Sequence, residues 1–296
     1  MTESQPPLLV IVGPTASGKS ALAARAALEA GGEVVSADSV QIYRGFDVGA
    51  GKPTLEERRG VPHHLIGTIE PLAPMDAARW AALAEEVIRD IRARGRVPVV
   101  CGGTYLWVRA LLLGFAPAPP ADEAVRADHR SLAEAEGRAA LHRRLAEVDP
   151  EAAARLSPND LVRVSRALEV YQLTGKPQSE WHAAHGFRER RHAARLVGIR
   201  WEPSELSARI EARARAMLEA GWVEEVRGLV RAGYRSARAM GSVGYRQLAE
   251  ALEQGDVDPR SLLDRIVRAT RIFARRQRTW LREEPVEWLT PRDALR

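Results

Sequence analysis

Residues 13–20 read Gly-Pro-Thr-Ala-Ser-Gly-Lys-Ser, a gap-free match to G-x-x-x-x-G-K-[S/T]. No other stretch constrains the fold so tightly. Its glycines let backbone N–H groups converge on an anion and a following helix adds its positive N-terminal end, so the loop is expected to join a buried strand to a helix. The flanks agree: "LLVIV" before the loop reads as a buried strand, and "KSALAARAALEA" after it as a helix stopped by Gly31-Gly32. "EVVSADS" (33–39) and "VPVVCGGT" (97–104) read as two more strands, with a strongly periodic helix at 76–95 between them. Strands alternating with helices imply a parallel sheet whose ligands sit at the carboxyl ends of its strands. Gly13–Ser20, Asp38 and Thr104 all fall there.

"GFAPAPPADE" (114–123) interrupts this pattern with three prolines, and from 122 to 185 the chain reads helical throughout. "ARLVGIRW" (194–201) is strand-like again; helices follow near 204–231, 243–254 and 259–282, then a short strand "VEWL". The expected fold class is α/β: a P-loop NTPase-like parallel sheet core flanked by helices, with an all-helical insertion. The core is expected over 1–120 and 191–296, the insertion over 121–190.

Composition narrows the setting. A lone Cys101 excludes an internal disulfide framework, and no apolar run is long enough to cross a bilayer, so a cytoplasmic location is expected. The net charge of +5 is unevenly placed. Residues 1–121 and 122–192 are each balanced, whereas 193–296 carry 20 basic against 15 acidic side chains. Within "RSLLDRIVRATRIFARRQRTWLR" (260–282), Arg265, Arg268, Arg271, Arg275, Arg278 and Arg282 share one helical face. Leu262, Ile266, Ala269, Phe273 and Trp280 mark another, expected to face the core. A stripe of this kind suits a polyanion, because cations on phosphates release counterions; the bland alternative is a solvated face paired with acids. Lysine is rare: only Lys19, Lys52 and Lys176 occur among 44 basic residues, so Lys19 marks a place where a compact ammonium is required.

The chemistry follows from residue types. Gly13, Pro14, Thr15, Ala16, Ser17, Gly18, Lys19 and Ser20 would cradle a di- or triphosphate, with Lys19 on its terminal groups and the Ser20 hydroxyl on Mg²⁺. Nucleotide hydrolases usually close an apolar strand with an acidic residue. Here the third strand ends in "CGGTYLW", where Thr104 offers a neutral hydroxyl to a phosphate oxygen or simply caps the next helix. The carboxylate beside the loop is then Asp38, a candidate for metal-bound water or for accepting a proton from a nucleophile. His63, His64, His182 and His185 read as ordinary surface or hydrogen-bonding histidines. Trp107, Trp181, Trp201, Trp222, Trp280 and Trp288 read mostly as core.

"GPTASGKS", "SADSVQIYRGFDVGAGKP", "VVCGGTYL", "NDLVRVSRALEVYQLTGKP", "SVGYRQL" and "ATRIFARRQRTWLR" occur in this order. Together they resemble the bacterial tRNA dimethylallyltransferases along nearly the whole chain. The resemblance implies transfer of a dimethylallyl group from dimethylallyl diphosphate to N6 of adenosine 37, beside the anticodon, with Mg²⁺. It implies Asp38 as general base and Ser39, Val40 and Gln41 as base contacts. Thr15–Ser20 would bind diphosphate, and Thr104 would lie beside the reacting centre. Arg126, then Val162, Arg163, Val164, Ser165 and Arg166, then Gly241, Ser242, Val243, Gly244, Tyr245 and Arg246 would contact tRNA. Arg246 is also a candidate for neutralising the leaving group. No membrane and no obligate protein partner are implied. Ala50 stands where many relatives have threonine, and the run before "GYR" is looser than usual. The insertion, balanced in charge, is expected to clamp the anticodon arm by shape. A small-molecule kinase and a non-catalytic RNA-binding NTPase are the alternatives.

Overall fold

A computed structural model describes residues 6–114, 116, 118–185, 190–255 and 258–295. Contacts divide the chain into two units: Met1–Leu112 with His192–Arg296, and Leu113–Arg191.

The first unit begins with β1 (Leu8–Val12), the phosphate loop and α1 (Lys19–Glu29), then β2 (Glu33–Ser36), α2 (Leu55–Arg58) and β3 (His63–His64). It continues through α3 (Ala77–Ala93), β4 (Pro98–Gly102) and α4 (Tyr105–Leu113). The second unit holds α5 (Glu123–Ala135), α6 (Arg138–Val148), α7 (Pro150–Arg155), α8 (Leu161–Thr174) and α9 (Gln178–His185). The first unit then resumes with β5 (Ala194–Ile199), α10 (Pro203–Glu219), α11 (Trp222–Arg231), α12 (Tyr245–Gln254), α13 (Pro259–Trp280), β6 (Val286–Leu289) and α14 (Pro291–Leu295). Two 3-10 turns, Tyr234–Ser236 and Arg238–Gly241, join α11 to α12.

The six strands form one parallel sheet in the order β3-β2-β4-β1-β5-β6. β1 lies between β4 and β5, so the loop leaving it opens at the centre of the sheet's carboxyl edge. Ile11, Val34, Val99 and Val197 form a buried layer with Leu22, Ala23 and Ala27 of α1. Their burial contributes about 1.5–3 kcal/mol for each large aliphatic side chain.

β3 has only two residues and was not expected from the sequence; Val34 and Val35 recruit it by parallel pairing at the sheet edge. The helical run near 204–231 is broken at Gly221, whose φ of +95° starts a new helix. The core-facing side assigned to α13 needs correction. Leu262, Ile266, Val267, Ala274 and Gln277 are its buried residues, whereas Phe273 and Trp280 are more than 40 % exposed. The burial face near the C-terminal end therefore passes through a small and a polar side chain instead of the aromatics.

The helical unit packs Leu141, Leu145, Ala152, Ala153, Val164, Ala167 and Leu168 into its own core. Beside that core Glu169, with no exposed surface, takes bidentate contacts from Arg126 at 2.9 and 3.0 Å and another from Arg166 at 2.5 Å. Burial alone would raise the Glu169 carboxyl, but the two guanidiniums and the Asp122 N–H outweigh it and hold it below the ordinary value. Removing the carboxylate by Glu169→Ala strands two partly buried cations. It is expected to destabilise this unit by about 3–5 kcal/mol, read by urea denaturation. Because the folded carboxyl is depressed, its contribution is complete above the unfolded value of 4.5 and fades as pH falls below it.

Candidate active site

The phosphate loop is held in a conformation that favours glycine. Gly13 and Gly18 sit at φ +153° and +90°, and Ala16 at +63° is one of three non-glycine residues with positive φ among those described. An alanine there costs about 1 kcal/mol, sustained by contacts on every side. Trp201 Nε1 donates to Ser17 O at 2.9 Å, and Arg209 Nε donates to Ala16 O at 2.9 Å while lying 4.3 Å from the Trp201 ring. Arg213 donates to Thr15 Oγ1 at 2.7 Å. Gln277 of α13 accepts from Thr15 N–H and donates to Gly103 O, both at 2.9 Å, tying the loop to the turn after β4. This is why a polar residue interrupts the buried face of α13.

Lys19 heads α1 with its Nζ 3.5 Å from Pro14 O. Desolvation pushes its ammonium below the ordinary lysine value and nearby Arg213 acts in the same direction, against the field of Asp38. Cys101, under the loop, is pushed up to about 12 by burial and stays a neutral thiol.

Asp38 follows β2. Its Oδ1 accepts from Val40 N–H at 2.9 Å and Gln41 N–H at 3.2 Å, so the turn itself fixes the carboxylate. Among the described residues Oδ2 has no such partner and remains open to a ligand. Thr104 Oγ1 accepts from Ser39 N–H at 3.1 Å and donates to Ser39 Oγ at 3.2 Å. It therefore joins the two strand ends and does not cap α4 through its side chain. Close strand approach needs Gly102, where a Cβ would lie 2.0 Å from Ala37 O.

Lys19, Ser20, Asp38, Gln41 and His63 converge on a cavity of about 20 Å³. Gln41 is nearly buried: its Nε2 donates to Ala50 O and Gly51 O, and its Oε1 accepts from Ser36 Oγ. Both amide hydrogens are thus engaged within the protein. On the other flank of the loop, a cleft of about 530 Å³ is lined by Pro14, Trp201, Arg200, Arg275, Arg278 and Arg282. The expected arginine stripe divides here: Arg265 pairs with Glu250 and Arg271 with Glu211, whereas Arg275, Arg278 and Arg282 face the cleft.

The remaining expected contacts separate. Val162 and Arg163 are exposed on α8, Arg163 near Asp160, whereas Val164 is core and Ser165 is bonded to His129. Arg126 and Arg166 serve Glu169. Gly241 ends a 3-10 turn, Ser242 Oγ donates to Ala239 O, and Val243 is half-buried. Gly244 lies against Trp222, and Tyr245 is buried. Arg246 lies exposed near Glu250 at 4.0 Å; among the described residues, Arg209 and Arg213 are the arginines that touch the phosphate loop. Neither was singled out from the sequence, because helical periodicity marks them only as two more basic residues of α10. Trp107 and Trp222 are core, as read; Trp181, Trp201 and Trp288 are half-buried, and Trp280 is exposed. His64 bonds Glu33 at 2.6 Å, while the His185 side chain lies outside the description.

A parallel sheet with this loop at its centre defines a P-loop-like fold. The chain belongs to the IPP transferase family. That family's model matches residues 41–284, and an isopentenyl transferase model matches 6–66. A tRNA dimethylallyltransferase of Sorangium cellulosum is 65 % identical over 95 % of this chain and 90 % of its own. One from Geobacter sulfurreducens is 46 % identical over 97 % and 92 %. The crystal structure of a Bacillus halodurans tRNA isopentenylpyrophosphate transferase superposes with a TM-score of 0.70 at 36 % identity, covering 97 % of this chain and 90 % of that one. A eukaryotic dimethylallyltransferase captured acting on tRNA gives 0.77 at 26 % identity, covering 97 % and 74 %. Among the described residues, no helix is long and apolar enough to cross a membrane.

Proposed function

We propose that the protein transfers the dimethylallyl group of dimethylallyl diphosphate to N6 of adenosine 37 in tRNA, releasing diphosphate. The observation that carries this reading is one small cavity faced by a phosphate-loop lysine and by a carboxylate with one oxygen unengaged.

An exocyclic amine is a poor nucleophile and cannot be deprotonated outright at neutral pH. The allylic C–O bond must therefore break early, its electron pair leaving with the diphosphate. Lys19 and the loop N–H groups would face the place where that charge develops, while Arg209 and Arg213 brace the loop and add positive charge beside it. N6 bonds to the allylic carbon and its proton passes to Asp38 Oδ2. Thr104, braced on Ser39, keeps the two strand ends in register around the reacting atoms.

Mg²⁺ fits this donor set. The ion keeps several waters and binds through few protein oxygen donors and substrate phosphates, and Ser20 and Asp38 line the same cavity. Ser20 Oγ would hold it beside Asp38, and bound there it would neutralise diphosphate charge as a Lewis acid.

Arg275 and Arg278 of α13 and Arg282 just beyond it, which line the cleft without an ion pair among the described residues, support contact with tRNA phosphates. Reversing Arg275 and Arg278 to Glu is expected to weaken tRNA binding about tenfold and to flatten its salt dependence by about two charges. Filter binding across roughly 50–200 mM salt reads both. An unaltered slope would remove this surface from the interface.

The decisive test is mass spectrometry of unmodified tRNA after incubation with dimethylallyl diphosphate and Mg²⁺. A gain of one dimethylallyl group on adenosine 37 is expected. ATP consumption dependent on a small acceptor would favour a kinase instead.

A further inference from the structure

Four consecutive backbone N–H groups, those of residues 47–50, point one way and are met by two side chains from distant helices. Glu225 of α11 accepts from Asp47 N–H at 2.9 Å, Val48 N–H at 2.6 Å and Gly49 N–H at 3.2 Å. Tyr245 of α12 accepts from Ala50 N–H at 3.0 Å and donates its own proton to Glu225 Oε1 at 2.6 Å. Such a row of N–H groups is an anion nest, and the protein fills it with its own carboxylate. Trp222 closes the arrangement: a Cβ on Gly49 or Gly244 would come within 2 Å of its indole, so both positions must be glycine. Phe46 packs on Tyr245 with ring centroids 4.9 Å apart.

The other edge of the same loop faces the reaction. Ala50 O and Gly51 O hold both amide hydrogens of Gln41, whose own N–H holds Asp38 Oδ1. Gly51, at φ +60°, also lies under Arg213: a Cβ there would be 2.0 Å from the guanidinium that donates to Thr15. The loop thus spans from the carboxylate to the phosphate loop, and Glu225 sets where it stands.

We propose that Glu225 is a positioning residue for the transfer reaction, acting through the 47–51 loop and Gln41 to aim the free oxygen of Asp38. This rests on the function proposed above. It assigns Gln41 to bracing the carboxylate, since its amide hydrogens are already committed within the protein.

The test is a double-mutant cycle on the full-length protein with Glu225→Gln, Gln41→Ala and the pair. Single-turnover prenylation is measured with saturating anticodon stem-loop RNA, dimethylallyl diphosphate and Mg²⁺. Glu225→Gln is expected to slow the chemical step about 30-fold while leaving the KM for dimethylallyl diphosphate within about twofold. In the Gln41→Ala background the same change is expected to cost less than about threefold, because the path is already cut. Tyr245→Phe, which deletes one bond to Glu225, is expected to slow the step to a lesser degree. Equal costs in both backgrounds, or a KM that rises in step with the lost rate, would overturn the assignment.

Amide exchange gives a readout that needs no turnover. Glu225→Gln is expected to speed exchange at residues 38–51 while residues 13–20 keep wild-type protection. Uniform loosening of both segments, or of neither, would overturn the proposal even if the wild-type protein prenylated no tRNA. Absence of wild-type product would instead strike the proposed function.

Discussion

Replacing Lys19 by alanine is expected to slow prenyl transfer at saturating tRNA by about 10³-fold, the loss of about 4 kcal/mol of transition-state stabilisation. The size of the effect follows from the setting. The ammonium is desolvated, and on the proposed reaction a departing diphosphate would offset that burial. Binding of tRNA is expected to be unchanged, since Lys19 faces the small cavity and not the arginine cleft. Arginine is not expected to rescue the rate. The larger guanidinium would crowd Pro14 O, and Arg213 already brings one guanidinium to Thr15 of the same loop. Rapid-quench transfer assays with labelled dimethylallyl diphosphate check this. Wild-type turnover in Lys19→Ala would separate the loop from the leaving group.

Asp38→Asn is expected to cost about 10²–10⁴-fold in the chemical step, the usual contribution of a positioned base. The substitution is discriminating because asparagine still offers a carbonyl oxygen to Val40 and Gln41 N–H. The turn survives and only the proton acceptor at the second oxygen is lost. Affinity for the anticodon stem-loop and for dimethylallyl diphosphate is expected to stay within about threefold, so the loss falls on kcat. A near-normal rate in Asp38→Asn would mean that water takes the proton. Equal losses in rate and RNA affinity would make Asp38 a recognition residue only.

Much of this centre was legible along the chain because it is assembled from local signals. The loop lies between a strand and a helix, Asp38 follows the next strand by two residues, and Thr104 follows β4 by two. A parallel sheet brings successive strand ends together, so residues just past each strand become neighbours without any long-range information. The arginine helix was visible by the same kind of spacing. Its inner face was misread because aromatic residues usually mark burial, whereas here Ala274 and Gln277 face inward and Phe273 and Trp280 do not. In the helical unit, a motif expected to touch RNA contains residues that hold the unit together, Arg166 on Glu169 and Ser165 on His129.

From the amino-acid order alone came the phosphate loop, the parallel α/β core, the lysine, the carboxylate and the threonine, because each is tied to the end of one regular element. Tertiary structure alone decided what braces them. Arg213 reaches Thr15 across 198 positions, Gln277 reaches it across 262, and Glu225 reaches Asp47 across 178. Contacts at such separations leave no periodicity in the chain. They exist only once the sheet has closed and its helices have brought charged and amide groups against unpaired backbone atoms, where leaving those atoms buried without partners would be costly.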